Sequence, residues 1–197
     1  MKTKLKMIEI VGQYKNGIHL RGLSRLLKTG LPNVIRYANL LEKERVIKKQ
    51  KKANLVILSL KESPKTLAYL KQVHTEIFIS LPKKIQDAVT DFLGELEVKP
   101  LIVLIFGSYA KGNYTSNSDI DLLLVFQKVE NEDRIENTAK KIGMRTNTII
   151  NPIYINYKNF EANFLNKEHD FSKEIQQKVI ILYGIEIYYS LLWAVLR

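Results

Sequence analysis

The chain is 197 residues long, with 31 Lys and Arg against 20 Asp and Glu, a formal net charge of +11, and 46% hydrophobic residues. That balance belongs to a folded chain able to bury one or two cores. The lack of cysteine excludes disulfide frameworks, thiolate metal sites and cysteine nucleophiles. His19, His74 and His169 are too far apart for a helical metal motif, so each is expected to be buried or solvated. The N-terminus alternates lysine with apolar residues, unlike a signal peptide. The most apolar stretch, 179–195, contains Gly184 and Glu186 and is too short to span a membrane. A cytoplasmic protein is expected.

Residues 1–65 carry 16 Lys and Arg against 4 acids, whereas the remainder carries 15 against 16. The positive excess therefore sits in the first third, which suggests a basic module for a polyanion joined to a near-neutral one. Leu5, Ile8, Val11 and Tyr14 recur at helical spacing, and Asn16-Gly17 breaks the pattern. Leu20, Leu23 and Leu27 share a face of a second helix over 20–27. Lys28-Thr29-Gly30 follows as a turn, with Gly30 able to adopt positive φ at a helix end. A third helix starts near Pro32 and turns Val34, Ala38 and Leu41 inward. Two β-prone stretches, 46–48 and 55–60, flank a basic loop over 49–54.

This order resembles a winged helix-turn-helix, with 31–42 in the place of its recognition helix. The resemblance implies double-stranded DNA as partner. Asn33, Arg36, Tyr37 and Asn39 would face the major groove, and Lys48, Lys49, Lys51 and Lys52 would meet phosphate or the minor groove. Glu62-Ser63-Pro64 ends this part. A helix over 66–78 carries Leu67, Leu70, Val73 and Ile77, and reads as a spacer or dimerisation element. Ser80 is the expected N-cap of a helix from Pro82 to Leu96 bearing Ile85, Val89, Phe92 and Leu93.

Residues 101–106 are continuously apolar, as in a strand covered on both faces. The run ends in Gly107-Ser108-Tyr109-Ala110-Lys111-Gly112. A second strand follows as Ser118-Asp119-Ile120-Asp121-Leu122. A glycine there lets backbone approach a ligand, and a helix start offers N–H groups to phosphate. Ser108 adds a hydroxyl donor, and Lys111 follows one turn later. Asp119 and Asp121, two apart on a strand, would share a face, where two carboxylates repel unless a cation lies between them. Oxygen ligands beside a phosphate cradle point to Mg²⁺ and a nucleoside triphosphate.

These motifs resemble the minimal nucleotidyltransferases of the DNA polymerase β superfamily. The resemblance covers about 25 residues well and 82–197 more weakly, including Ile181 to Gly184. It implies transfer of a nucleoside monophosphate from an NTP, in particular ATP, to a hydroxyl. Gly107, Ser108, Lys111 and Ser118 would bind the nucleotide, and Asp119 and Asp121 would be catalytic and hold Mg²⁺ or Mn²⁺. The family's third carboxylate belongs on the next strand, within 145–157. That segment contains no acid; Asn151 falls nearest to the place and cannot take up a proton. Glu161 and Glu168 read as surface residues.

The expected fold class is therefore α+β or α/β: a winged helix, then a small mixed sheet with flanking helices and a helical C-terminal part. The expected divisions are 1–62, a helical linker over 63–80, and the transferase domain over 81–197. Over 171–197, Ile175, Val179, Leu182, Ile185, Tyr188, Tyr189, Leu192 and Trp193 form an apolar face for core and a homodimer contact. Two functions stay open: a transferase whose basic part binds DNA, paired with a helical toxin-like partner protein, or a transcriptional regulator that senses nucleotide without chemistry. A purely structural adaptor is a third.

Overall fold

Leu5, Ile8 and Val11 are buried along α1 (Thr3–Gln13) in the computed structural model, as their spacing predicts, while Tyr14 lies past the helix end and is exposed. The structure describes residues 2–14, 16–166 and 170–196; Glu168 and His169 lie outside them. Residues 1–76 and 77–195 form two units, treated separately below.

In the first unit, β1 (Ile18–His19) leads into α2 (Leu20–Leu27) and α3 (Leu31–Lys43). His19 is neither core nor solvated: its Nδ1 accepts a hydrogen bond from the Gly22 N–H at 2.9 Å, which caps α2. The left-handed residue after α2 is Lys28 (φ 49°), not Gly30, which is extended and precedes α3. The turn closes two residues earlier than expected because the Lys28 and Thr29 N–H groups already satisfy carbonyls of the last turn. Val34, Ala38 and Leu41 are buried on α3 as predicted.

β2 (Ile47–Lys52) and β3 (Leu55–Leu60) pair in full antiparallel register, and the sheet order is β1-β3-β2. The expected basic loop is thus mostly strand, reduced to a turn at Ala53-Asn54. Beyond Ile47, β2 is exposed apart from half-buried Lys49 and lies at the sheet edge, where lysines are compatible with pairing on one side only. α4 (Pro64–Ile79) follows, with Thr66, Leu70, Val73 and His74 buried. Lys4 donates to Glu44 at 2.8 Å, as does Tyr69 through its hydroxyl. The Lys4 ammonium holds the Glu44 carboxyl below its usual range.

The second unit begins with α5 (Lys83–Glu95). Its N-cap is Pro82 rather than Ser80, whose hydroxyl instead donates to the Ile77 carbonyl. Then come β4 (Ile102–Ile105), α6 (Gly107–Lys111), β5 (Ile120–Phe126), α7 (Glu132–Thr146) and β6 (Ile150–Asn156), followed by α8 (Tyr157–Leu165), α9 (Asp170–Ile175), β7 (Ile180–Tyr183) and α10 (Ile185–Val195). The sheet order is β6-β5-β4-β7, with β5 and β6 parallel and β4 antiparallel to both its neighbours.

Ile120, Leu122 and Leu124 of β5 are fully buried in one core with Ile85, Val89 and Phe92 of α5 and Ile135, Ala139 and Ile142 of α7. Burying each large side chain is worth about 1.5–3 kcal/mol. Arg145 pins α7 to α5 through Asp91 and Glu95. α8 packs against β5 and β6, and α10 against β4; an aromatic chain of Phe160, Phe164, Tyr188, Tyr189 and half-buried Trp193 joins α8 to α10. The expected all-helical C-terminal part is corrected here: residues 180–183 form an edge strand. Gly184 ends it at φ +72°, where a Cβ would meet the Leu101 carbonyl oxygen at 2.2 Å.

Candidate functional site

β4 delivers the chain to Gly107 at the point where β5 begins, because the two strands are antiparallel and Ile105 pairs with Leu122. The Phe106 N–H donates to the Asp121 carbonyl at 3.1 Å. Gly107 then turns at φ +64° into α6, and a Cβ at this position would lie 2.1 Å from Asp121 Oδ2. Glycine is therefore required twice over, by the left-handed backbone and by the carboxylate against its Cα. Ser108 follows in the first turn of α6, half-buried, and its carbonyl accepts the Gly112 N–H that closes the helix.

Asp121 is the second residue of β5. Asp119 stands just before the strand and is exposed, so the strand pattern predicted for the pair applies in full only to Asp121. In the parallel register Asp121 pairs with Asn151 of β6, and the Asn151 side-chain N–H donates to Asp121 Oδ1 at 3.1 Å. Among the described residues no three acidic, histidine or cysteine side chains gather as a metal site. Two carboxylates and an amide do not make a closed cage. They do fit a cation such as Mg²⁺, which keeps several waters and takes further ligands from a nucleotide's phosphates.

Ser118 shapes the intervening loop. Its hydroxyl accepts the Thr115 N–H at 2.9 Å, and its carbonyl accepts the Tyr109 hydroxyl at 3.3 Å. Lys111 is engaged elsewhere: its ammonium pairs with Glu174 at 2.9 Å. Glu161 accepts from the Tyr157 hydroxyl. A cavity of about 570 Å³ opens beside Asp119, walled by the 114–118 loop, residues 147–149 and the start of α5. Its lining includes Lys84 and a stacked pair, Tyr109 and Tyr114, at 4.6 Å. Neither Lys84 nor Tyr114 has a motif signal in the sequence, because residues 82–85 meet the loop only through the fold.

In the first unit, Asn33 and Arg36 are exposed on α3, with Arg36 over the Tyr37 ring at 4.9 Å. Lys48, Lys51 and Lys52 are exposed on β2. Lys49 bonds instead to Glu42 at 2.7 Å and to Asn39 at 2.5 Å, both on α3. No helix among the described residues is long and apolar enough to cross a membrane.

A sequence model of a family described as "Nucleotidyltransferase domain" matches residues 87–188, more than half of the chain. A protein of Methanocaldococcus jannaschii, provisionally named a protein adenylyltransferase, is 28% identical over 76 residues, covering 37% of this chain and 76% of that protein. A crystal structure of a toxin–antitoxin with AMP-PNP is similar at TM-score 0.43 and 14% identity, over 58% of this chain and 84% of the other. The zinc-responsive MarR family member ZitR of Lactococcus lactis is similar at TM-score 0.31 and 17% identity, over 48% and 72%. At such scores neither structure bears on fold or function.

Proposed function

Since the chain belongs to the nucleotidyltransferase domain family, we propose that it moves a nucleoside monophosphate, in particular AMP, from a triphosphate–magnesium complex to a protein hydroxyl. The observation that carries this reading is the meeting of Gly107 with the Asp121 carboxylate, with Asp119 just upstream. The Ser108 hydroxyl and the first N–H groups of α6 bind the triphosphate's oxygens. Asp119 and Asp121 would hold a cation such as Mg²⁺, which when bound would supply charge neutralisation at a phosphate. Much of the rate then comes from positioning. The protein acceptor is supported by the name of the archaeal relative. The charge excess of residues 1–65 supports the reading of the first unit as a winged helix that would bind double-stranded DNA.

A second reading is favoured by Asn151. An amide donating to Asp121 takes no proton from an acceptor, which suits a regulator that binds nucleotide and performs no transfer. Incubation with α-phosphate-labelled ATP, Mg²⁺ or Mn²⁺ and cell extract separates the two. Label moving onto protein, and lost in Asp119→Ala/Asp121→Ala, supports transfer. An ATP-dependent melting shift without label transfer supports the regulator, and transfer persisting in the double variant overturns the assigned site.

A further inference from the structure

Asp121 and Asp119 are held in different ways. Asp121 lies within the sheet, paired with Asn151 and bonded through its carbonyl to the Phe106 N–H, so the strands fix its place. Asp119 precedes Ile120, the first residue of β5, and takes its place from the loop behind it. That loop is tied to itself. The Thr115 N–H donates to the Ser118 hydroxyl at 2.9 Å, and the Ser118 N–H to the Thr115 carbonyl at 3.2 Å. Among the described residues, one hydrogen bond joins 114–119 to the rest of the chain: the Tyr109 hydroxyl donates to the Ser118 carbonyl at 3.3 Å. That carbonyl belongs to the peptide group leading into Asp119.

Tyr109 is built as a rigid post. It is the third residue of α6, and its ring is 5% exposed, in the core that holds Ile85, Phe92 and Ile120. A packed aromatic ring has few torsions left to lose, so its hydroxyl stays in place. The same ring stacks on Tyr114 of the loop at 4.6 Å, with 21° between the planes. The loop is thus held at both ends by one side chain, through Tyr114 and through the Ser118 carbonyl. We infer that Tyr109 is the positioning residue for Asp119, setting the loop so that Asp119 and Asp121 can share one cation. The inference rests on the transferase reading, in which those carboxylates hold the cation on the triphosphate. The bonds within 115–118 fix the loop's shape but not its location. Without the Tyr109 hydroxyl, Asp121 keeps its place in the sheet and Asp119 loses its own.

Titration calorimetry with ATP on the full chain, once with excess Mn²⁺ and once with EDTA, tests this. Tyr109→Phe keeps the buried ring and the stack and removes only the donor. It should weaken ATP about fivefold in Mn²⁺ and leave the affinity in EDTA unchanged. Tyr114→Phe, which removes a hydroxyl without a hydrogen bond among the described residues, should match wild type in both. An equal loss in EDTA would mean that Tyr109 acts through the phosphate-binding start of α6, and would overturn the inference. A lowered melting temperature with the Mn²⁺ advantage intact would make Tyr109 a packing residue and overturn it too. Unchanged affinities in Tyr109→Phe would do the same, while loss of the Mn²⁺ advantage in Asp119→Ala/Asp121→Ala would leave the transferase reading standing. If Mn²⁺ gives wild type no advantage over EDTA, both fail together.

Discussion

Asn151 sits where β6 runs alongside Asp121, and its amide N–H is bonded to that carboxylate. An amide there orients Asp121 without adding charge, and it leaves the acceptor hydroxyl with no proton acceptor from β6. Asn151→Asp should therefore raise label transfer in the assay above, by about tenfold or more if proton removal limits the rate. Asn151→Ala should not raise it. The gain should steepen with pH through the range where the new carboxylate ionises. If Asn151→Asp is no faster than wild type while ATP affinity is retained, proton removal at this position does not limit the reaction. The sequence already carried most of this site: Gly107, Ser108, Asp119 and Asp121 are close along the chain, and the stretch 145–157 has one polar residue at the right distance. Lys84, Tyr114 and Asn147 were not legible, because nothing local marks residues that meet only when α5, the loop and the start of β6 come together.

Elements were legible where periodicity and burial agree. α3 turns in Val34, Ala38 and Leu41 because three- and four-residue spacing has one solution. Residues 180–183 are four apolar residues in a row, a pattern shared by a buried helix and a strand, and pairing with β4 decides between them. β2 is legible only at its start, within 46–48, since Lys48, Lys49, Gln50, Lys51 and Lys52 carry no apolar alternation to read. α4 holds a further consequence in His74, whose burial pushes its pKa down to about 4. The unfolded imidazole protonates near 6.5, so the unfolded state binds the extra proton and gains on the folded one as pH falls. Stability contributed by neutral His74 is present above pH 6.5 and is lost on descending from there toward 4, by roughly 3 kcal/mol in all. Urea unfolding at pH 7 and pH 5 should show wild type losing stability that His74→Gln does not lose. Equal losses in both proteins would place the proton elsewhere.

At the scale of the whole molecule, the charge is divided as the two proposed tasks would require, with the excess confined to residues 1–65. A module that displaces counterions from DNA shows a linear fall of log affinity with log salt, of slope about −0.9 for each phosphate neutralised. Lys48, Lys51 and Lys52 are exposed along β2 and available for such contacts, whereas Lys49 is held by Glu42 and Asn39 of α3. Replacing Lys48, Lys51 and Lys52 with Ala together should weaken duplex binding and flatten the salt slope by about 2–3. Lys49→Ala alone should change the slope least, because its charge is already spent on Glu42. Asp119→Ala/Asp121→Ala, in the other unit, should leave the slope as it is. A triple variant with an unaltered slope would remove β2 from the interface and return the charge of the first unit to the role of a solvated surface. A normal slope in the wild type, lost in Arg36→Ala but not in the β2 variant, would move the contact to α3.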